Sequence, residues 1–249
     1  MSGLVNRTVM WLTWRQLFAR RRIWFAAAFA LAPLLFTCVF KLVADDGEGS
    51  RVSFFTSLAA EIVIGTLLPL AGVVFGTAAF GGEVDDGTLV YLLVKPIPRW
   101  QVVLSKFVVA ALSAFAVVAP AILLPWLLLR GPDLPPRMAL SYVEAAGIGA
   151  AMYTALCLWL GLVSKRALVI GLLYVIGFEG ILTRSLTGLR SLSVREYTVA
   201  ISQAVSGGTI VSPGAISMGT VRIAGTIITV GAIGWTIWRL GRYELREKL

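Results

Sequence analysis

The sequence predicts an all-α integral membrane protein with six transmembrane helices and both termini in the cytoplasm. Its composition is the first reason: 58% of the 249 residues are hydrophobic, only 14% are charged, and the mean hydropathy is +0.86. Soluble domains carry about a quarter charged residues, and one core of this size cannot bury so much apolar surface. The other reasons are the lengths of the apolar segments and the placement of the basic residues.

Six apolar segments are long enough, or nearly long enough, to span a bilayer. A membrane helix needs about 20 mostly apolar residues. The predicted spans are Ile23–Val43, Leu58–Phe80, Phe107–Leu129, Ser141–Val163, Ala167–Leu182 and Thr220–Leu240. No internal repeat or Pro-rich linker divides the chain, so we expect one transmembrane domain over residues 1–249.

The basic residues determine the predicted orientation. They concentrate in the amino-terminal arm, the second and fourth loops and the carboxyl-terminal tail: Arg7, Arg15, Arg20, Arg21, Arg22, Lys95, Arg99, Lys106, Lys165, Arg166, Arg239, Arg242, Arg246 and Lys248. Short loops rich in Lys and Arg face the cytoplasm. An even number of spans then leaves both termini on that side.

The segment at residues 11–22 precedes the first span and is amphipathic. Read as a helix, it places Trp11, Trp14, Leu17 and Phe18 on one face and Arg15 on another. This pattern is typical of a helix that lies in the membrane interface, with its aromatic rings at the level of the lipid headgroups. We expect an interfacial helix here, with membrane lipids as its neighbours.

The loop at residues 81–100, GGEVDDGTLVYLLVKPIPRW, is too long and too punctuated for a simple turn. Its carboxylates are expected to stand at or before the amino end of a short helix, where they stabilise free N–H groups. Pro96 ends that helix, and Pro98 precedes the next one. From the residues alone, this cytoplasmic helix is either an interfacial connector or a rigid element on which a partner acts.

These residues resemble a known family. Glu83, Gly87-Thr88-Leu89, Leu92-Leu93, Pro96-Ile97, Arg99 and Lys106 read as E…GT-L…LL…PI-R…K, which is similar to the signature of type-2 ABC transporter permeases, the membrane subunits of ATP-binding-cassette exporters. In that family the segment is a coupling helix docked on an ATPase subunit. The resemblance implies that partner-binding residues are Glu83, Asp86, Gly87, Thr88, Leu89, Leu92, Leu93, Pro96 and Arg99.

The same resemblance implies the partners and the location. The chain has no G-x-x-x-x-G-K-[ST] loop, the motif whose backbone holds nucleotide phosphates, so no cofactor is expected in this chain. ATP and Mg belong to the partner, an ATP-binding-cassette ATPase subunit. A second permease copy or a related permease is expected to complete the pathway, with no nucleic acid bound. The expected location is the cell (inner) membrane of a prokaryote, as a multi-pass protein.

Two further classes of function remain open on the residues. An ion-coupled secondary carrier or channel would use Glu179, which interrupts the fifth span and is a candidate for the substrate path. The alternative, slightly favoured on the residues, is that the fifth span ends there and leaves Glu179 in water. A lipid-modifying enzyme is less well supported, because the Asp85-Asp86 pair lacks the further acidic residues such chemistry needs, and we expect no catalytic or metal site. The chain has no histidine. Residues 183–219 are expected to form an exoplasmic or re-entrant segment.

The orientation makes a testable prediction. A reporter that is active only in the cytoplasm, fused after Ser164, is expected to be active, because the loop that follows the fourth span carries Lys165 and Arg166. An inactive fusion, together with activity of an exoplasm-only reporter fused at the same position, would contradict the predicted topology.

Overall fold

The computed structural model describes residues 7–17, 20–43, 48–89, 91, 97–131, 134–177, 198 and 218–242. These residues form helices and their connecting turns, and no strand occurs among them. The protein is therefore all-α over the part of the chain that the structure describes.

The structure describes eight α-helices and one π-helix among these residues. In order they are α1 (Arg7–Leu17), α2 (Arg20–Val43), α3 (Glu48–Ser57), a π-helix (Leu58–Leu67), α4 (Leu68–Asp85), α5 (Arg99–Leu128), α6 (Pro136–Val163), α7 (Ala167–Leu173) and α8 (Met218–Arg242). Proline marks two starts, since Pro136 occupies the first turn of α6 and Pro98 stands directly before α5. A missing backbone N–H is harmless at these positions.

Three helices within the described ranges are long and apolar enough to cross a membrane. They are a continuous 36-residue helix over Ser50–Asp85, the 30-residue α5 and the 28-residue α6, and they contain predicted spans two, three and four. Shorter apolar helices at Ala30–Val43 and Ala167–Gly177 lie in predicted spans one and five, and α8 covers predicted span six. The total of six spans stays a prediction.

The helix that contains the second predicted span is longer than the apolar run of that span. At 1.5 Å per residue, the helix over Ser50–Asp85 measures about 54 Å, whereas the hydrocarbon core is about 30 Å thick. The helix continues past Phe80, the predicted end of the span, through Gly81 and Gly82 to Asp85. A helix can extend beyond its apolar run because backbone hydrogen bonding does not depend on side-chain polarity, and the end of the span itself stays a prediction.

Helices α4 and α6 pack closely and run in the same direction. Four contacts advance together along both helices: Leu68 with Gly149, Gly72 with Tyr153, Gly76 with Cys157, and Thr77 with Gly161. The spacing Gly72-x-x-x-Gly76 places both small residues on one face of α4. Such pairs let membrane helices approach closely and pack by van der Waals contact. Because α6 also contacts α5, α7 and α8, the α4–α6 pair forms the centre of the bundle.

The amino-terminal helix has a protein-facing side that the sequence pattern did not show. Helix α1 packs against α5 and α4, and its buried residues are Val9, Thr13 and Leu17. Trp11 and Trp14 are exposed, so the predicted grouping of Leu17 with the tryptophans is wrong. Helix was expected over residues 11–22, and the described residues on both sides, in α1 (Arg7–Leu17) and at the start of α2 (Arg20–Val43), are helical. Phe18 lies outside the described residues.

A ten-residue π-helix, Leu58–Leu67, joins α3 to α4. Its wider turn is visible in a side-chain hydrogen bond that Thr66 Oγ1 donates to the carbonyl of Glu61, five residues earlier, at 3.2 Å. Its inner face is buried, whereas Glu61 and Thr66 are exposed. π-Helices are rare and occur mostly as single-turn bulges within α-helices, frequently at functional sites.

The segment predicted to be exoplasmic or re-entrant, residues 183–219, is almost entirely outside the described residues. Thr198 is an exception: it is fully buried and lies against Gly149 of α6. Gly149 is near the middle of the 28-residue α6, so Thr198 lies at the level of the middle of that helix. The choice between the two forms of this segment stays a prediction.

The close approach of α4 and α6 predicts different effects for two glycine substitutions. In Gly161→Ala, the new methyl group would stand 2.6 Å from the carbonyl oxygen of Thr77. Backbone cannot yield as a side chain can, so the helices would be forced apart, and we expect a destabilisation of about 1–3 kcal/mol. The measurement is thermal unfolding of the purified protein in detergent.

Gly82→Ala is the matched control. Gly82 also lies within a helix, but a methyl group there has no neighbouring atom within 4 Å. Alanine is the better helix former by about 1 kcal/mol, so this variant should be as stable as the parent protein or more stable. Equal losses in the two variants would contradict the assigned interface.

Candidate functional site

The turn after α4 is built from the acidic residues and the glycine of the 81–100 loop. Asp86 caps the helix, with its N–H donating to the carbonyl of Gly82 at 3.0 Å. Gly87 follows with φ +66°, the left-handed conformation that glycine adopts without strain at the end of a helix. The backbone N–H of Gly87 donates to the carbonyl of Val84 at 3.4 Å. The sequence Asp-Gly therefore ends α4 sharply at this point.

Glu83 and Asp85 consequently belong to the last turn of α4, so they end one helix as well as preceding the predicted next one. Their effect on that next helix stays a prediction. Carboxylates at the carboxyl end of a helix face the negative end of its dipole, which is unfavourable. The cation that makes Glu83 tolerable there comes from the next long helix.

That cation is Lys106 of α5, whose side chain is 1% exposed. Its ammonium group donates to Glu83 Oε1 at 2.8 Å and to the backbone carbonyl of Ala79. It also lies 4.8 Å from the centre of the Phe80 ring. One buried charge therefore contacts three residues of the last two turns of α4, although Lys106 and Glu83 are 23 residues apart in sequence.

The Glu83 carboxylate is only partly satisfied. Its Oε1 accepts from Lys106, whereas Oε2 is buried and has no hydrogen-bond partner within the described ranges. A buried ion pair offsets its desolvation only with good geometry and further hydrogen bonds. The Glu83–Lys106 pair therefore stabilises the junction of α4 and α5 only as a pair, and removing one member leaves a buried charge without compensation.

Arg99, in the first turn of α5, makes the second contact between helix ends. Its Nη1 donates to the carbonyl of Gly241 at 2.8 Å. Gly241 lies in the last turn of α8, where carbonyls lack a partner within the helix and a cation is favoured by the dipole. The first two turns of α5 therefore bind the carboxyl ends of both α4 and α8.

The predicted partner-binding residues divide into two groups. Asp86, Gly87 and Thr88 are exposed in the turn, together with Asp85 and Tyr91, which is 75% exposed. Glu83, Leu89 and Arg99 face the protein instead, with Leu89 1% exposed in the main core. Leu92, Leu93 and Pro96, and the candidate pathway residue Glu179, lie outside the described residues. Partner contact stays a prediction for all of them.

Two features of this end were missed by reasoning from the sequence. Lys106 was part of the resemblance, but its pairing with Glu83 was not predicted, because the two residues meet only when α4 and α5 pack side by side. The sequence did contain a signal for this pair. Lys106 is a charged residue within the first turns of an apolar helix, and Glu83 is a carboxylate at the end of the preceding helix. The small residues Gly72 and Gly76 also went unnoticed, although their spacing is a known packing pattern.

No group of three or more Cys, Asp or Glu residues that would hold a metal is found in the part of the chain that the structure describes. What the site offers is an exposed acidic turn with α4 and α5 joined beneath it. A force on the turn would therefore reach two long helices together.

The buried pair predicts a non-additive response to mutation. Lys106→Met leaves the Glu83 carboxylate without its cation, and we expect a loss of about 3 kcal/mol in unfolding free energy. Glu83→Met combined with Lys106→Met removes both charges and should recover much of that loss. Thermal unfolding of single and double variants in detergent measures the difference.

Lys165→Met is the control, because Lys165 is exposed in the next predicted cytoplasmic loop and its loss should change stability little. A double variant as unstable as Lys106→Met would contradict the pairing as the source of stability.

Comparison with known proteins agrees with this architecture. A family model described as "ABC-2 family transporter protein" matches residues 17–180, a range that contains α4, the acidic turn, α5 and α6. No protein among those with curated functions matches the chain. The family match covers well over half of the 249 residues, and the chain therefore belongs to the ABC-2 family of transporter membrane proteins.

Proposed function

We propose that this chain is the permease subunit of an ABC transporter, that it works as an exporter, and that a separate cytoplasmic ATPase subunit drives it. Membership of the ABC-2 family supports a membrane transport role. The observation that carries the finer proposal is the acidic turn at Asp85–Thr88, which is exposed while the helices on both sides of it are joined by the buried Glu83–Lys106 pair.

The exposure pattern favours a partner surface over an interfacial connector. A connector lying on the membrane would turn its apolar residues toward lipid and its charges toward water. Here Leu89 is in the protein core, and the exposed residues include two aspartates. Anionic lipids repel carboxylates, so this turn is suited to project into the cytoplasm and to contact a protein.

The contacts below the turn supply a route for motion. A displacement of the turn moves α4 and α5 together, because the Glu83–Lys106 pair joins them. The close glycine contacts pass the movement from α4 to α6, and Arg99 joins α5 to the end of α8. Packed helices move as discrete bodies and deform little, so one docking event would reorient most of the described bundle.

Transport in this proposal requires further subunits. The chain lacks the phosphate-binding loop of an ATPase, so ATP and Mg would bind in the partner. A second copy of this permease, or a related one, would supply the other half of the translocation pathway. Closing and opening of the ATPase subunits would then switch access across the membrane.

The test is co-purification of the chain with an ATP-binding-cassette ATPase subunit co-expressed from the same organism. The double variant Asp86→Arg, Tyr91→Asp changes only exposed positions of the turn. It should still fold, as judged by an unchanged elution volume and thermal unfolding. Because the partner would meet inverted charge and lost aromatic contact, we expect at least tenfold less ATPase subunit to be retained, about 1.4 kcal/mol of binding free energy.

Arg137→Glu, an exposed charge change at the start of α6, is the control. It lies at the opposite end of the bundle and should leave retention unchanged. Transport by the purified chain without ATP or an ATPase subunit would overturn the proposal and favour a secondary carrier.

A further inference from the structure

Three arginines lie over the indole ring of a tryptophan four residues earlier in the chain. Arg15 Cζ is 5.6 Å from the centre of the Trp11 ring, Arg130 Cζ is 5.7 Å from Trp126, and Arg242 Cζ is 3.9 Å from Trp238. A guanidinium that stacks on an aromatic face keeps its five N–H donors in the plane of the group, pointing away from the ring. Each pair therefore places a guanidinium group, with its five N–H donors, beside an aromatic ring.

Two of these pairs are at the predicted cytoplasmic end. Trp11 and Arg15 lie on α1, which ends just before the first predicted span, and Trp238 and Arg242 lie in the last turns of α8. The third pair is at the opposite end of α5, with Trp126 in the last turn of that helix and Arg130 just after it. On α5 itself, Trp100 and Trp126 are about 39 Å apart at 1.5 Å per residue, which matches the separation of the two interfaces of a bilayer.

The cytoplasmic pairs face outward. Trp11 is 59% exposed and Trp238 is 50% exposed, and Arg15 and Arg242 are exposed too. Helix α1 is nevertheless fixed to the bundle, since Val9, Thr13 and Leu17 on its other side are buried. The tryptophans are therefore held in place on a rigid surface with their rings available to lipid.

The charge of this end is positive away from the acidic turn. Lys165 and Arg166 are exposed there as well, and the buried Glu83 carboxylate is paired with Lys106. The exposed carboxylates at this end, within the described ranges, are Asp85 and Asp86 of the turn. The rim, meaning the exposed basic residues around this end of the bundle, is positively charged and suits a membrane surface. The projecting turn is negatively charged and suits a protein partner.

We propose that the Trp11–Arg15 and Trp238–Arg242 pairs bind the headgroups of anionic phospholipids in the cytoplasmic leaflet. The indole rings lie among the upper acyl chains, and the guanidinium groups donate to the lipid phosphates. Bidentate donation to phosphate is the geometry that arginine favours. This binding does not depend on the ATPase partner, so it can be tested on the chain alone.

The experiment titrates the purified protein in detergent with phosphatidylglycerol or phosphatidylcholine and counts bound lipids by native mass spectrometry. The parent protein should bind phosphatidylglycerol more tightly. Arg15→Gln and Arg242→Gln should each weaken that binding about fivefold, the effect typical of one basic residue at an anionic surface. Trp11→Leu should weaken it similarly, because the guanidinium loses its support.

Lys165→Gln and Arg166→Gln are the matched controls, since they remove the same charge from the same end without a stacked tryptophan. They should change phosphatidylglycerol affinity less than twofold. Equal losses in the controls would replace the proposed sites by diffuse attraction, and equal affinity for the two lipids would overturn the proposal outright.

Two arms separate lipid binding from other effects. Arg15→Lys keeps the charge but not the planar donor set, so an intermediate loss supports the proposed geometry even if Arg15→Gln unfolds. Arg242→Gln tests the second helix independently. If the variants keep their lipid affinity but lose the ATPase subunit, the rim is a protein-binding surface and the lipid proposal is wrong.

Discussion

The structure of the predicted cytoplasmic end depends on the contacts that the buried ammonium group of Lys106 makes. It joins α5 to α4 by contacting Glu83, the Ala79 carbonyl and the Phe80 ring. A charge at this depth is unfavourable unless it is paired, so the two helix ends can be together only in an arrangement that keeps the pair intact. The acidic turn is thereby held on a fixed base, with Arg99 adding the end of α8.

Above this base, the bundle combines a close-packed part with an irregular one. The α4–α6 interface places helix backbones so near each other that a single methyl group would overlap the opposite helix. Directly before α4 in the chain, the helix winds as a π-helix over Leu58–Leu67. Movement transmitted from the turn would therefore be carried rigidly by α4 and meet a different helical geometry at its far end.

Much of the fold could be predicted from the sequence, because a bilayer imposes simple requirements on length and polarity. Each of the six predicted spans contains a helix in the part that the structure describes. The same reasoning failed where two elements pack together. It placed Leu17 with Trp11 and Trp14, since hydropathy does not distinguish a surface that meets lipid from one that meets protein.

The candidate site shows the same division at the level of single residues. The sequence by itself determined that the chain is helical and membrane-embedded. It also determined that an acidic, glycine-containing loop, which ends near Pro96 and Pro98, follows the second predicted span. Both could be predicted because apolar length and backbone restrictions are local properties. Only the tertiary structure decided that Glu83, Leu89 and Arg99 face inward while Asp86, Thr88 and Tyr91 face outward. Those directions depend on Lys106 and Gly241, which are distant in sequence and reach the site only when α4, α5 and α8 pack together.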